Sequence, residues 1–224
     1  MPRAAESQMG MFADAVAARA ALTLGIDEAG RGPILGPMVM AAVALDPGAA
    51  RALTRAGLAD SKKFGHGAIA RQRRAALASM VRARATFVAI EVVESDEIDA
   101  RVDKGELNVL ERERARLMIT AAPTCKRIVA DGARIFGSLR EEFPALRAYD
   151  NGESRHASVA AASIVAKDER DRRFALIAER WRAEFGEITG GGYLNDATRA
   201  FLRAYRKKFG DLPPETRRSW DCRL

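Results

Sequence analysis

Apolar and polar positions along this 224-residue chain follow two rhythms: short unbroken apolar runs, and longer stretches with apolar residues at helical spacing. Leu22 to Asp27 and Met38 to Leu45 are runs of the first kind, bounded by glycines and prolines, and they predict buried strands. Thr86 to Val93 predicts a third strand, Arg127 to Ala130 a fourth that ends at Asp131-Gly132, and Ala145 to Tyr149 a weaker fifth that ends near Asp150-Asn151-Gly152. Ala68 to Arg84 and Leu107 to Ala121 carry the helical rhythm with arginines on the opposite face, and Pro123 stops the second. Beyond the fifth strand the pattern becomes helical. Ser158 to Phe185 begins with the small-residue run Val159 to Ala166, which reads as buried against a sheet. It continues into Lys167 to Arg173, which reads as solvent-facing. Gly190-Gly191-Gly192 breaks the pattern, and Ala197 to Phe209 is a last helix with the basic end Arg206-Lys207-Lys208. Strands alternating with helices, no internal repeat and no low-complexity linker predict a single α/β unit.

Charge narrows the class of partner. The 37 Lys and Arg exceed the 30 Asp and Glu, a formal net charge of +7 that favours polyanions through counterion release. The plainer explanation is arginine solvating helix faces, so the charge needs a chemical site beside it. Cys125 and Cys222 are the only cysteines and form no C-x-x-C pair, which argues against a zinc ribbon, a redox motif or a disulfide framework and points to a reducing compartment. Arg3, Glu6, Asp14 and Arg19 interrupt the first apolar stretch, and no later stretch approaches the roughly 18 uninterrupted apolar residues of a membrane span. A cytoplasmic protein with no membrane partner is expected.

The chemistry gathers where strands end. Gly30, Gly32 and Gly36 follow the first strand and could form a nucleotide-phosphate loop. Pro33, Pro37 and the returning strand oppose a dinucleotide turn, however, which should open a helix. Asp27 and Glu28 just ahead of the glycines would also repel a pyrophosphate unless metal ions lay between. Acids stand at two further strand ends, Asp131 and the stretch Asp150 to Glu153. If the strands lie side by side, these acids converge at one sheet edge as hard oxygen ligands for magnesium or manganese. Two ions held there could promote in-line displacement at a phosphodiester.

The segment Gly25-Ile26-Asp27-Glu28-Ala29-Gly30-Arg31-Gly32-Pro33 resembles the opening signature of the type 2 ribonucleases H, the ribonuclease HII family. Asp60-Ser61-Lys62-Lys63, Glu106-Leu107-Asn108, Asp131-Gly132, Ala161-Ala162-Ser163-Ile164-Val165-Ala166-Lys167 and Gly192-Tyr193 resemble its later blocks, in the family's order. The likeness spans roughly residues 22 to 222.

The resemblance implies a ribonuclease H-like α/β fold, a mixed sheet flanked by helices. It implies an N-terminal extension over 1–20 and a catalytic domain over 21–224, of which about 186–224 is a helical lobe. It makes Asp27, Glu28 and Asp131 three of four catalytic, metal-binding carboxylates for Mg2+ or Mn2+. The family places an Asp ten residues before the serine of the A-A-S-I block, and counting back from Ser163 gives Glu153, a residue the related type 3 enzymes use there. Asp150 is the competing candidate. The family's Gly30-Arg31-Gly32 loop would sense a ribose 2′-hydroxyl and Tyr193 would pack on the same sugar. Lys62, Lys63 and Lys167 would contact phosphates, and Ser61 and Asn108 would add neutral hydrogen bonds. His66 and His156 read as surface or packing residues. The basic stretches Arg170 to Arg173 and Arg203 to Lys208 either extend a nucleic-acid track or solvate helix faces. The implied activity is endonucleolytic hydrolysis of the RNA strand of RNA–DNA hybrids and cleavage 5′ to ribonucleotides embedded in duplex DNA. It would leave a 3′-hydroxyl and a 5′-phosphate, and would serve ribonucleotide and RNA primer removal. A stand-alone monomer is expected; the alternative is a non-catalytic hybrid-binding module.

Overall fold

Odd and even residues of the run Met38 to Leu45 go to opposite sides of the molecule. Val39, Ala41, Val43 and Leu45 enter one apolar cluster, while Met40, Ala42 and Ala44 enter another. This is the period of two expected of a strand buried on both faces. A computed structural model describes residues 22–58, 64–65, 67–221 and 224. Its elements are, in order, β1 (Thr23–Ala29), β2 (Met38–Leu45), α1 (Pro47–Arg55), α2 (Ala68–Arg84), β3 (Phe87–Val93), α3 (Ser95–Val102), α4 (Leu107–Ala121), β4 (Arg127–Asp131), α5 (Ala133–Phe136), β5 (Leu146–Tyr149), α6 (Ala157–Phe185) and α7 (Asp196–Phe209).

The five strands form one sheet in the order β3-β2-β1-β4-β5. β2 pairs antiparallel with β1 and with β3, whereas β4 runs parallel to β1 and to β5. The sheet is therefore mixed, as expected. Its parallel half matters most here, because β1, β4 and β5 bring their C-terminal ends to the same edge. One face is covered by α2 and the first half of α6, through Leu77, Ala78, Val81 and the run Ala160 to Ala166. The other is covered by α4 and α5, through Ala115, Met118, Ile119, Ile135 and Phe136.

All five predicted strands and all four predicted helices are present, with ends shifted by a residue or two. Three helices were not anticipated. α1 does carry a start signal: Asp46 accepts from the amides of Gly48 and Ala49 ahead of Pro47 in the first turn. α3 opens with Asp96 and Glu97, which favour a helix N-terminus. α5 is a single turn and has no period to read. The stretch Lys167 to Arg173 also departs from expectation, since Glu169 and Arg170 within it are buried. Glu169 is satisfied by Arg172 and Arg173, 2.6–2.9 Å away, and Arg170 runs beneath the glycine turns described below. Past α6, a third cluster joins Ile34, Leu35 and Ile177 to Ile188, Phe201, Leu202 and Tyr205, so the C-terminal helical region packs on the second half of α6. No helix among the described residues is long and apolar enough to cross a membrane.

The contact that sets the active edge is between β1 and the start of α6. A Cβ added to Gly25 would lie 2.1 Å from the carbonyl carbon of Ser158 and 2.3 Å from the amide nitrogen of Val159. Backbone meets backbone there, and no side chain fits. Gly25→Ala should therefore push α6 off the sheet and cost about 1–3 kcal/mol or more. Gly137→Ala, where a Cβ would meet nothing within 4 Å and φ is −58°, should change stability by less than about 1 kcal/mol. Urea denaturation of the two variants checks the contrast.

Candidate active site

Successive residues of β1 straddle the sheet, so Asp27 and Glu28 leave it on opposite sides. Asp27 points toward α6 and is only 4% exposed. Burial, the Glu28 carboxylate and Asp131 raise its pKa well above the usual carboxylate range, and a hydrogen bond with Ser163 and the charge of Lys167 offset part of this. Glu28 faces α4. Burial, Glu111 and Asp131 push it up to about 7, against the charge of Arg31. Asp131 thus acts on both neighbours from the end of β4. Its Oδ1 accepts from the Gly152 amide at 2.9 Å, which draws the turn after β5 against the same edge.

That turn separates the two candidates for the fourth acid. Asp150 Oδ1 accepts from the Ala133 amide at 3.0 Å and serves the start of α5. Glu153 Oε2 lies 3.0 Å from Ser163 Oγ and 3.5 Å from Lys167 Nζ, on the side where Asp27 sits. Glu153, Ser163, Lys167 and Asp27 form one connected group. Ser163 has a single proton to give, so it cannot serve both carboxylates at once. The donors are all carboxylate oxygens under like-charge repulsion in a partly desolvated edge, a chemistry that fits a hard divalent cation. They form no preformed cage: among the described residues no three acidic, histidine or cysteine side chains converge closely enough to hold a metal ion. Alternation along β1 accounts for this, because it directs Asp27 and Glu28 to different faces.

Beside the acids, Glu28, Gly30, Arg31, Gly32, Lys167, Arg170 and Tyr193 line an open cleft of about 430 Å³. Tyr193 is 56% exposed and its ring lies 3.5 Å from where a Cβ on Gly32 would be, so it is no core aromatic. Arg31 is tied to α4, with Nη2 donating to Asn108 Oδ1 at 2.5 Å and Nε 3.2 Å from Glu111 Oε1. Asn108 therefore holds Arg31 rather than standing free. Arg170, 5% exposed, runs under three glycines: a Cβ on Gly30, Gly191 or Gly192 would meet its guanidinium at 2.9, 3.2 and 3.1 Å. Ser61, Lys62, Lys63 and His66 lie outside the described residues, as do Cys222 and the 1–20 extension. His156 stacks on Tyr149, 5.6 Å between ring centres, and burial with Arg127 and Arg155 nearby lowers its pKa, in keeping with packing.

Comparison with known proteins settles the family. The Ribonuclease HII family profile matches residues 24–222. Ribonuclease HII of Thermococcus onnurineus is 37% identical over 206 residues, covering 88% of this chain and 86% of its own. That of Pyrobaculum neutrophilum is 40% identical over 203 residues, covering 88% and 93%. The chain belongs to the ribonuclease HII family. Among solved structures, ribonuclease H2 of Pyrococcus horikoshii superposes with a TM-score of 0.76 at 30% identity, over 89% of this chain and 94% of that one. Bst-RNase HIII, solved in complex with Mn2+, shares the fold at 21% identity and a TM-score of 0.69. Family membership carries ribonuclease H endonuclease activity on RNA–DNA hybrids.

In this ribonuclease HII, sequence reasoning left Glu111 and Arg217 unread and saw Arg170 only as part of a basic stretch. Glu111 is fully buried, and neither carboxylate oxygen accepts a hydrogen bond among the described residues. Burial pushes its pKa to about 7 despite Arg31 and Arg112. It sits three residues after Asn108, on the same helix face, and that spacing was a usable signal. Arg170 stands likewise three residues after Lys167. Arg217 comes from far along the chain and has no local signal. The geometry yields a direct contrast: Glu153→Gln should lower hybrid cleavage by at least about 100-fold, whereas Asp150→Asn should leave it within roughly threefold, with a small loss of stability from the α5 cap. Initial rates on a labelled RNA–DNA hybrid, with melting curves alongside, check both.

Proposed function

We propose that this ribonuclease HII hydrolyses the phosphodiester on the 5′ side of a ribonucleotide, both in RNA–DNA hybrids and at single ribonucleotides embedded in duplex DNA. The products carry a 3′-hydroxyl and a 5′-phosphate. The observation that supports the reading is the juxtaposition of the acidic edge with the Gly30-Arg31-Gly32 and Tyr193 cleft, where a ribose at the loop would bring its phosphodiester to the acids.

Asp27, Glu28, Asp131 and Glu153 would hold Mg2+ or Mn2+, the metal named for the type 3 neighbour being manganese. Bound there, divalent ions supply an activated water and stabilise the leaving oxygen. The chain's own residues do the rest. Lys167 balances the charge of Glu153 and lies along the cleft where a phosphate would pass. Ser163 orients the Glu153 carboxylate. The glycine loop brings its backbone close to the ribose, and Tyr193 offers its exposed ring to the sugar. Ser61, Lys62 and Lys63 are assigned to phosphate contacts by family likeness alone. The enzyme is read as a cytoplasmic monomer acting in ribonucleotide and RNA primer removal.

A DNA duplex with one central ribonucleotide tests this. The purified protein should nick it 5′ to the ribose in magnesium or manganese, stop when EDTA is added, and leave the all-DNA duplex whole. Asp27→Asn should cut at least about 100-fold more slowly while still binding. An intact ribonucleotide duplex in both metals would overturn the reading, and binding without any cleavage would favour the hybrid-binding module instead.

A further inference from the structure

The carbonyl groups of the glycine loop are gripped from behind by a side chain nearly the whole chain away. Arg217 is completely buried, and each of its three guanidinium nitrogens donates to a different backbone carbonyl. Nη2 reaches Gly30 at 2.6 Å, Nη1 reaches Arg31 at 2.9 Å and Nε reaches Gly36 at 3.0 Å. The segment around it is stitched to the same loop. Gly36 donates to the Glu215 carbonyl, Arg217 donates its amide to the Ile34 carbonyl, and Leu35 bridges Thr216. Trp220 lies against the outer face of the guanidinium, 5.2 Å from its ring centre.

Peptide geometry turns this grip into a statement about the cleft. In a trans peptide the C=O of one residue and the N–H of the next point in opposite directions. Two consecutive carbonyls drawn onto one guanidinium therefore direct the following two amides, those of Arg31 and Gly32, away from Arg217. No backbone carbonyl among the described residues accepts from either amide. Gly30 has φ +82°, the left-handed value that lets adjacent N–H groups line up on one side as a pocket for an oxygen. Gly30, Arg31 and Gly32 line the cleft, facing Tyr193, and Arg217 does not.

We propose that Arg217 is a positioning residue that pre-orients the Arg31 and Gly32 amides to donate to the 2′-hydroxyl of a bound ribonucleotide. This rests on the loop being the ribose-sensing element proposed above. Lysine cannot replace it, because a single ammonium does not span three carbonyls as the planar fork does. Arg217 touches neither the reacting phosphate nor the acids, so its effect should fall on sugar preference rather than on general affinity for duplexes.

The test measures, by fluorescence anisotropy in magnesium, the Kd ratio between an all-DNA duplex and the same duplex carrying one ribonucleotide. An Asp27→Asn background slows cutting enough for binding to be read first. The parent should prefer the ribonucleotide. Adding Arg217→Lys should lower that preference about fivefold, the worth of roughly one hydrogen bond, and leave the all-DNA Kd unchanged. Retention of the full preference by folded Arg217→Lys, as judged by circular dichroism, would overturn the proposal. If Arg217→Lys does not fold, Trp220→Leu takes its place. Removing the ring against which the guanidinium packs should lower the preference about twofold, and an unchanged ratio would again overturn it. A parent ratio of one is a separate result, and it would remove ribose sensing by the loop itself.

Discussion

Everything at the catalytic edge depends on how closely α6 lies on β1. Gly25 permits contact at backbone distance, with Ser158 and Val159 against the strand. The small residues from Ala160 to Ala162, with Ile164 to Ala166, continue that contact along the sheet. Because the helix is seated there and not a side chain's thickness away, Ser163 arrives over Asp27, and Lys167 one turn later reaches Glu153. A helix held off by even one methyl group would carry Ser163 and Lys167 out of reach of the acids, since interiors pack too tightly to absorb the shift.

The same edge concentrates negative charge where water cannot fully solvate it. Glu28 raises the pKa of Asp27, Asp131 raises both, and Glu111 raises that of Glu28 from α4. Among the described residues Lys167, Arg31, Arg112, the Gly152 amide and one serine proton answer this. Such an arrangement costs stability and persists where function needs it, which is the physical case for divalent ions at this edge. The glycine loop presents a complementary arrangement. There the buried charges are guanidiniums, Arg170 and Arg217, and burial lowers the pKa of both, Arg217 to about 10. Buried cations thus lie beneath the loop, and acids lie beside it.

The fold was largely legible in the sequence because its signals are local. Strands β1 and β2 are apolar runs between glycines and prolines, and the long helices keep a regular period. The parallel neighbours β1, β4 and β5 made it readable from strand ends that Asp27, Glu28, Asp131 and the stretch Asp150 to Glu153 come to one edge of the sheet. Strand ends alone left Glu153 and Asp150 open, and only the family spacing counted back from Ser163 favoured Glu153. The choice turns on the hydrogen bond from the Ala133 amide to Asp150, across a turn that passes through Asn151 at φ +62°. Arg217 was invisible for a different reason: its partners lie up to 187 residues away, and an arginine in a basic C-terminal stretch looks like any solvated charge. Lys167 to Arg173 misled in the same manner, since charge predicts exposure only when no carbonyl or carboxylate waits in the interior.

The central claim is that the acids at the end of β1, β4 and β5 form one divalent-ion site completed by Glu153. Anomalous scattering from crystals grown with manganese tests it most directly. The account predicts peaks bounded by Asp27, Glu28, Asp131 and Glu153, with Asp150 still bonded to the Ala133 amide. Peaks remote from Asp27, or a site in which Asp150 has replaced Glu153, would contradict it.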